Sequence, residues 1–372
     1  MFIENFKVEE WFNKYEKDAV YDLADTCVDS LTLNELLEIA GGKEIYLNEI
    51  FSKKLNYGDI HGSLRLRNAI SSLYANQTLE NITITHGAIG ANQLVIMSLI
   101  NPGDKVVSVV PAYQQHYSIP KSFGADVHLY FLKEENNWLP DLEELANLAG
   151  SDTKMICINN PNNPTGAVIP DEMLSEIANI ARKSGAYILC DEVYRGLNHC
   201  GNPFSVSIAD IYENGISTGS MSKTFSLAGL RLGWIAAGIG VIKQVNHHRE
   251  YNTISVGMID DYFASLAIEN KDKIIKRNLD KIKTGKEILL NWASSEPKIT
   301  VVPPNGGTTV FARYNLPVSS AELCKNLQSE TGVMILPGET MELDGYLRIG
   351  YANNFERLKT ALNIFSKWLR KM

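Results

Sequence analysis

A single lysine, Lys223, lies within a segment rich in small hydroxylated residues between Gly215 and Gly233. The hydroxyl groups belong to Ser217, Thr218, Ser220, Ser222, Thr224 and Ser226, and Arg231 follows the lysine in the same segment. A lysine amine can form a Schiff base with a carbonyl compound, while short donors and a planar guanidinium suit phosphate oxygens. The segment therefore favours a ligand with a carbonyl and a phosphate, such as pyridoxal 5'-phosphate. A solvated Ser/Thr loop with a surface lysine has the same local pattern.

Asp191 ends the apolar segment A-Y-I-L-C and opens the motif D-E-V-Y. A carboxylate at the end of a strand can pair with the pyridine nitrogen of pyridoxal phosphate and keep the ring an electron sink. Tyr194 can bond the phenolic oxygen of the ring. Taken alone, an ordinary loop carboxylate and a packed tyrosine explain these two residues equally well.

Other segments supply further parts of such a site. Asn163 precedes Pro164 in N-N-P-N-N-P-T-G, is held extended and can present its amide to the same phenolic oxygen. The turn T-H-G-A-I-G, residues 85–90, joins a strand to a helix, where backbone N–H groups bind phosphate well. Tyr113 can stack on a ring. A plain Asn/Pro turn, a common strand–helix turn and a core tyrosine are the alternatives.

Arg348 lies in the otherwise apolar segment Y-L-R-I-G-Y. A guanidinium in a buried strand requires an anion, and a substrate carboxylate gripped by two hydrogen bonds would serve. An internal salt bridge is the alternative explanation.

Composition narrows the functional class. The chain has 372 residues, a net charge of −8 and 45% hydrophobic residues, which argues for a globular protein without a nucleic-acid partner. The start of the chain lacks a signal-peptide pattern, and the longest apolar run, 232–242, is too short to span a bilayer. The five scattered cysteines suggest neither a disulfide framework nor a zinc site. These features predict a cytoplasmic location and no membrane or metal partner.

Strands and helices alternate through the middle of the chain. Strands are predicted at 81–85, 105–110, 127–132, 154–159, 186–190 and 234–237, and helices at 91–99, 142–148 and 170–184. This alternation predicts an α/β layer with a mostly parallel sheet flanked by helices. Because ligands bind at the carboxyl ends of such strands, Gly87, Asn163, Asp191 and Lys223 are expected around one crevice.

The pattern changes after Ile254. A long charged helix is predicted from about 262 to 292, followed by shorter elements that read as a smaller α+β domain. Near the start, Trp11, Phe12 and Tyr15 have helical spacing and predict an arm. We therefore expect an N-terminal arm that forms part of the small domain (1–42), a large cofactor-binding domain (43–265) and a small C-terminal domain (266–372).

The ordered motifs give the chain a family resemblance over essentially its whole length. Y-G-D-I-H-G (57–62), N-N-P-N-N-P-T-G, D-E-V-Y, S-M-S-K-T-F-S-L-A-G-L-R-L-G-W and R-I-G-Y resemble a class I/II aminotransferase of pyridoxal-phosphate (PLP) fold type I. The resemblance implies transfer of an amino group from an amino acid to a 2-oxo acid through a Lys223 Schiff base, with Lys223 also moving the α-proton.

The resemblance also implies roles for individual residues. Asp191 pairs with the pyridine nitrogen, Asn163 and Tyr194 hold the phenolic oxygen, Tyr113 stacks on the ring, Gly87, Ala88, Ser220, Ser222 and Arg231 surround the phosphate, and Arg348 with Asn163 holds the substrate. Tyr57 resembles a tyrosine that reaches the phosphate of the neighbouring subunit, which implies a homodimer with shared sites.

The chain departs from the family pattern in three places, of which the first affects the donors to the phosphate and the other two leave the substrate open. Family members often have a hydroxyl where Ala88 and Ile89 stand, and a glycine near A-D-T-C, where Thr26 and Cys27 are expected to narrow the substrate pocket. Dicarboxylate-specific members use a second arginine, for which Arg249 is the nearest candidate. Two segments also resemble capreomycidine synthase, a PLP enzyme that cyclises a hydroxylated arginine, so elimination and cyclisation of a modified amino acid is the alternative reaction.

Two other classes have weaker support. A PLP-binding regulatory domain usually follows a DNA-binding helix-turn-helix, and no such motif is visible before residue 40. A nucleotide-binding dehydrogenase is suggested by G-I-G-V-I after the strand 234–237, but the third glycine of G-x-G-x-x-G is missing.

Overall fold

A computed structural model describes residues 2–372 of the chain. The helices are α1 (Lys7–Tyr15), α2 (Leu33–Ile39), α3 (Lys43–Ser52), α4 (Leu64–Ser71), α5 (Gly87–Leu99), α6 (Gln115–Ser122), α7 (Leu142–Ala149), α8 (Asp171–Ser184), α9 (Ile208–Ile211), α10 (Ile239–Arg249), α11 (Met258–Glu269), α12 (Lys271–Ser294), α13 (Ser320–Thr331) and α14 (Phe355–Leu369). The strands are β1 (Tyr21–Asp22), β2 (Ile82–Thr85), β3 (Lys105–Val110), β4 (Asp126–Phe131), β5 (Thr153–Asn159), β6 (Tyr187–Asp191), β7 (Gly215–Ser220), β8 (Gly233–Ala237), β9 (Ile299–Val301), β10 (Thr309–Tyr314), β11 (Val333–Met334), β12 (Leu336–Pro337) and β13 (Tyr346–Gly350).

The central sheet has seven strands in the order β2-β8-β7-β6-β5-β3-β4. Strand β8 pairs antiparallel with both neighbours, and the remaining pairs are parallel. Consecutive residues of a strand point to opposite faces of the sheet. Val106 packs in the core against α5 and α10, and Val107 packs in the core against α7 and α8. Strands covered on both faces are apolar almost throughout, and the predicted α/β layer with a mostly parallel sheet is confirmed.

A second sheet of four antiparallel strands has the order β12-β13-β10-β9. The N-terminal segment packs with this part of the chain: β1 pairs in parallel with β11, and Trp11 and Leu23 share a core with Leu347 and Phe365. The predicted N-terminal helix is α1, and its packing on the C-terminal region agrees with the expectation. The domain boundaries at 42/43 and 265/266 stay predictions.

The single helix predicted from about 262 to 292 is wrong. The chain forms α11 and α12 with a break at Asn270, whose backbone leaves the helical region at φ −108° and ψ 23°. The Asn270 amide donates to the carbonyl of Leu266 at 3.0 Å, so it satisfies a carbonyl left open at the end of α11. The short helices α3 and α4 were not predicted.

Among residues 2–372, no helix is both long and apolar enough to cross a bilayer. The cytoplasmic location expected from the sequence stays a prediction.

Candidate active site

The carboxyl ends of four strands meet at one edge of the central sheet. Strands β5, β6 and β7 are mutually parallel, and β2 runs in the same direction because both β2 and β7 are antiparallel to β8. Gly87 follows β2, Asn163 follows β5, Asp191 ends β6 and Lys223 follows β7. The fold thus brings these four residues to the same edge.

Lys223 is half-buried beside the N-terminal segment. Its Nζ donates to Thr26 Oγ1 at 2.5 Å and lies 3.2 Å from Cys27 Sγ. Burial acts to lower the pKa of Lys223, but the ionisable groups of Tyr194 and Cys27 act in the opposite direction, and the pKa lies above the ordinary lysine value. Burial raises the pKa of the Cys27 thiol, which favours the neutral thiol.

Asp191 is 6% exposed and both of its carboxylate oxygens have donors. Oδ1 accepts from the Val193 backbone N–H at 3.1 Å, and Oδ2 accepts from Asn92 Nδ2 at 2.8 Å. His116 Nε2 lies 4.0 Å from Oδ2. Burial lowers the pKa of His116, against the opposing influence of Asp191, so the imidazole tends to be neutral beside the carboxylate.

Arg348 lies on β13 and is 3% exposed. Its guanidinium donates to uncharged oxygens, a backbone carbonyl and a side-chain amide. Nη2 donates to the Ala24 carbonyl at 2.9 Å and Nη1 to Asn163 Oδ1 at 3.3 Å, while Nε is buried without a hydrogen-bond partner among residues 2–372. Burial lowers the pKa of Arg348, and Tyr194 and Tyr113 act in the opposite direction. These contacts do not form the internal salt bridge that was the alternative explanation.

Asn163 and Tyr194 lie close to this arginine. Because Asn163 Oδ1 accepts from Arg348, the amide is oriented with its Nδ2 group directed elsewhere, and within the described chain Nδ2 makes no hydrogen bond. The Asn163 backbone N–H donates to Asn159 Oδ1 at 2.6 Å, which fixes the turn. Tyr194 is buried, and Gly307 packs against its ring.

Gly87 opens α5 with a φ of +68°, and a Cβ on it would lie 3.0 Å from Arg231 Nη2. Gly233 approaches so closely that its Cβ would be 2.3 Å from the Gly87 carbonyl carbon. The exposed Arg231 is held by a bond from Nη1 to the Ala228 carbonyl at 2.9 Å. The Arg231 guanidinium therefore lies at the N-terminus of α5, where half-buried Ala88 follows Gly87. A guanidinium and a helix N-terminus each attract anions.

Ser220 and Ser222 flank the same turn. Ser220 is buried at the end of β7, and its Oγ accepts from the backbone N–H of Ser222 at 3.2 Å. Tyr113 lies under the N-terminal arm: its ring centroid is 4.8 Å from that of Phe6, and its hydroxyl donates to Glu9 Oε1 at 3.0 Å. Burial and the neighbouring Glu9 raise the pKa of Tyr113.

Among residues 2–372, neither Tyr57 nor Arg249 makes a hydrogen bond with another predicted site residue. Tyr57 is 80% exposed and lines a cavity of 330 Å³ with Arg65, Met258 and Tyr262. Arg249 is 1% exposed and donates from Nε to the Ile84 carbonyl at 2.8 Å and from Nη1 to the Ile254 carbonyl at 3.1 Å. Its Nη2 is buried without a hydrogen-bond partner among residues 2–372, and the binding of a second carboxylate by Arg249 stays a prediction.

Sequence reasoning missed Asn92, His116 and Glu9. Asn92 had a detectable signal, because it is a polar residue in the buried part of an apolar helix, and buried amides need partners. His116 lies three positions after Tyr113 and is fully buried, which spacing alone does not reveal. Glu9 reaches the site only through the packing of the arm, for which the sequence carries no local signal.

Comparisons with known proteins show the family of the chain. The family model described as "Aminotransferase class I and II" matches residues 31–365. An aspartate aminotransferase from Pyrococcus horikoshii is 31% identical, with 87% of this chain and 86% of that protein covered. Capreomycidine synthase from Streptomyces vinaceus is 28% identical, with 97% and 93% covered.

A solved structure of a PLP-dependent aminotransferase from Streptococcus suis has a TM-score of 0.96 and 43% identity, with 100% of this chain and 99% of that chain covered. A PLP-dependent cyclase, OrfR, superposes with a TM-score of 0.90 at 22% identity, covering 100% and 98% of the two chains. At that level of identity, the likeness to the cyclase shows a shared fold.

Proposed function

Because the chain belongs to the class I and II aminotransferases, whose cofactor is pyridoxal 5'-phosphate, we propose that it exchanges the amino group of an amino acid with a 2-oxo acid. Lys223 is the residue that forms the Schiff base. The single observation that carries the proposal is the cluster at the sheet edge, where the Lys223 amine, the Asp191 carboxylate and the buried Arg348 guanidinium come from separate segments.

The residues present fit the cofactor. Gly87 and Arg231 form a cradle for a phosphate, since a Cβ on Gly87 would lie 3.0 Å from Arg231 Nη2 and narrow the gap between them. The Asn163 Nδ2 group suits the phenolic oxygen, and Asp191 suits the pyridine nitrogen. When bound, pyridoxal phosphate supplies a carbonyl carbon for the amine and a sink for the electrons released with the α-proton. Ser220, Ser222 and Ala88 complete the phosphate side of the proposal.

Arg348 is proposed to hold the substrate carboxylate. Within residues 2–372, its Nε is buried without a hydrogen-bond partner, and its Nη1 and Nη2 groups donate only to uncharged oxygens. A buried guanidinium without an anion is costly, and a carboxylate would supply two charge-assisted hydrogen bonds. Bound in this way, an amino acid would present its α-carbon towards Lys223. Tyr113 and Tyr194 would flank the reacting group.

Lys223 Nζ is proposed to take the proton from the α-carbon and to return it in the second part of the half-reaction. A positioned base contributes about 10²- to 10⁴-fold to such a step. Thr26 Oγ1 accepts from Nζ at 2.5 Å, and this contact gives the free amine a defined position between proton transfers.

We also propose that the protein acts as a homodimer in which Tyr57 reaches the phosphate site of the partner. Phe51, Leu55, Tyr57 and Tyr251 are each at least 80% exposed. A Cβ on Gly58 would lie 3.6 Å from Met258 Cβ, so the segment that carries Tyr57 lies beside the start of α11. Large exposed apolar side chains of this kind mark an interface, and a second copy of the chain would cover them.

A second candidate is elimination and ring closure in a modified amino acid. It is supported by the match to capreomycidine synthase over nearly the whole chain.

Product analysis tests both candidates. Purified protein loaded with pyridoxal phosphate is supplied with single amino acids, with and without a panel of 2-oxo acids. Formation of a new amino acid that depends on the 2-oxo acid supports transamination. A product of unchanged nitrogen content that forms without a 2-oxo acid supports cyclisation. Protein that binds the cofactor but converts no amino acid in the panel, including hydroxylated arginine, would refute both.

A further inference from the structure

Asn92 links two strands of the sheet beneath the site. It lies on α5, is 0% exposed, and has both ends of its amide in use. Its Nδ2 donates to Asp191 Oδ2 at 2.8 Å, and its Oδ1 accepts from Thr218 Oγ1 at 2.7 Å. Thr218, on β7 beside β6, is also fully buried.

The Asn92 amide is held at both ends. An ionised carboxylate only accepts hydrogen bonds, so Asp191 requires the Nδ2 end of the amide. A threonine hydroxyl can donate, so Thr218 Oγ1 serves the Oδ1 end in that same orientation. The two contacts together restrict the amide to one position.

Asn92 is the side-chain donor that serves Asp191. The Val193 backbone N–H tethers Oδ1 and Asn92 tethers Oδ2, so the carboxylate plane is fixed at both oxygens. His116 lies farther away, at 4.0 Å. The donor from Asn92 therefore orients the carboxylate as well as satisfying one of its oxygens.

We propose that Asn92 and Thr218 are positioning residues that hold the Asp191 carboxylate in the correct orientation against the pyridine nitrogen of the cofactor. The inference rests on the proposed pairing of Asp191 with that nitrogen. Without the Asn92 donor, the carboxylate is free to turn, and its hydrogen bond to the protonated nitrogen weakens. The ring is then a weaker electron sink.

The test uses holoenzyme with pyridoxal phosphate labelled with ¹⁵N at the ring, since the ¹⁵N chemical shift reports protonation of that nitrogen. In Asn92→Leu we expect the shift to move towards the unprotonated value. Loss of a hydrogen bond to a charged group should lower kcat by about 10- to 100-fold, with KM for the amino donor within about threefold. Thr218→Val should change both readouts in the same direction by a smaller amount, about three- to tenfold in kcat, and Thr218→Ser should restore them.

The chain offers a matched control. Thr83 Oγ1 on β2 donates to Asn246 Oδ1 at 2.7 Å. This bond resembles the bond between Thr218 and Asn92, but Asn246 makes no hydrogen bond to Asp191 among residues 2–372. Thr83→Val should leave the ¹⁵N shift and kcat unchanged. The double variant Asn92→Leu/Thr218→Val should match Asn92→Leu alone, because residues that act through one contact are not additive.

Asp191→Asn separates the possible failures. If this variant moves the ¹⁵N shift while folded Asn92→Leu and Thr218→Val do not, the positioning role is wrong and the pairing stands. If Asp191→Asn leaves the shift unchanged, the pairing itself is wrong and the inference falls with it. If Asn92→Leu does not fold, Thr218→Val carries the test, and an unchanged shift there overturns the inference.

Discussion

The two sides of the Lys223 site are assembled differently. On the sheet side, Gly87, Asn163 and Asp191 stand directly after or at the ends of neighbouring strands. On the opposite side, three distant segments are joined by hydrogen bonds. Thr308 Oγ1 donates to the Thr26 carbonyl at 2.7 Å, the Gly350 N–H to the Leu23 carbonyl at 2.7 Å, and Arg348 Nη2 to the Ala24 carbonyl at 2.9 Å.

The second side therefore depends on the docking of the N-terminal segment. A Cβ on Gly350 would lie 1.8 Å from the Asp25 carbonyl oxygen, so only glycine permits this close approach. Changes on the sheet side should affect the cofactor first. Changes on the docked side should affect the amino acid first and leave cofactor binding nearly intact, and four variants test that division.

The largest effect is expected for Lys223→Ala, at the junction of the two sides. Loss of the base alone removes about 10²- to 10⁴-fold, and loss of the covalent link to the cofactor adds to it, so turnover should vanish. Pyridoxal phosphate should still bind through its phosphate but should no longer be fixed to the protein by borohydride. Lys183→Ala, an exposed lysine on α8, is the control. Substantial turnover by the Lys223 variant would contradict the assignment.

Arg348→Lys should produce the next largest effect, on the docked side. A lysine cannot reproduce a planar two-pronged contact, and weakening one partner of a buried charge pair costs about 2–5 kcal/mol. We expect kcat/KM to fall on the order of 10²- to 10³-fold while the Kd of pyridoxal phosphate changes by less than about threefold.

Arg313→Lys is the control for Arg348. Arg313 is an exposed arginine on β10, the strand next to β13 in the same sheet, and it forms an ion pair with Glu134. Equal losses in cofactor and substrate binding for Arg348→Lys would break the proposed division between the two sides.

Tyr57→Phe should affect the cofactor side through the partner subunit. A phenol bonded to a phosphate makes a charge-assisted hydrogen bond of about 1.5–3 kcal/mol, so the Kd of pyridoxal phosphate should rise by about ten- to a hundredfold. KM for the amino donor should change little at saturating cofactor. A matched control is Tyr251→Phe, since Tyr251 is similarly exposed but has no assigned phosphate contact.

Mixed dimers sharpen that test. A heterodimer of Lys223→Ala and Tyr57→Phe subunits has both lesions at one site and none at the other if Tyr57 acts across the interface, so it regains one parent-like site. If Tyr57 acts within its own chain, each site keeps one lesion. That second result, or a fully active monomer in sedimentation, would contradict shared sites.

The same division explains what the sequence could predict. The strands of the central sheet are apolar runs with clear ends, and the residues at those ends belong to short contiguous motifs. The sequence alone therefore predicts Asp191, Asn163 and Lys223 as site residues. The pairing of Tyr21 with Val333 joins segments far apart in the chain, and no local pattern encodes such a pairing. The break at Asn270 was missed because a charged amphipathic pattern continues on both sides of it.

The smallest effect is expected at Thr26, where the docked side touches the lysine. Thr26→Val keeps the shape of the side chain but removes the acceptor for Lys223 Nζ, 2.5 Å away in the parent. The amine that takes the α-proton is neutral, so an ordinary hydrogen bond of about 0.5–1.5 kcal/mol is lost, and single-turnover proton removal should slow by about three- to tenfold. Thr26→Ser keeps the hydroxyl and should remain within about twofold of the parent. Cofactor affinity should be unchanged in both variants. A larger effect on the Kd of pyridoxal phosphate than on proton removal would mean that the N-terminal segment supports the cofactor as well, and the two sides of the site would then have to be treated as one unit.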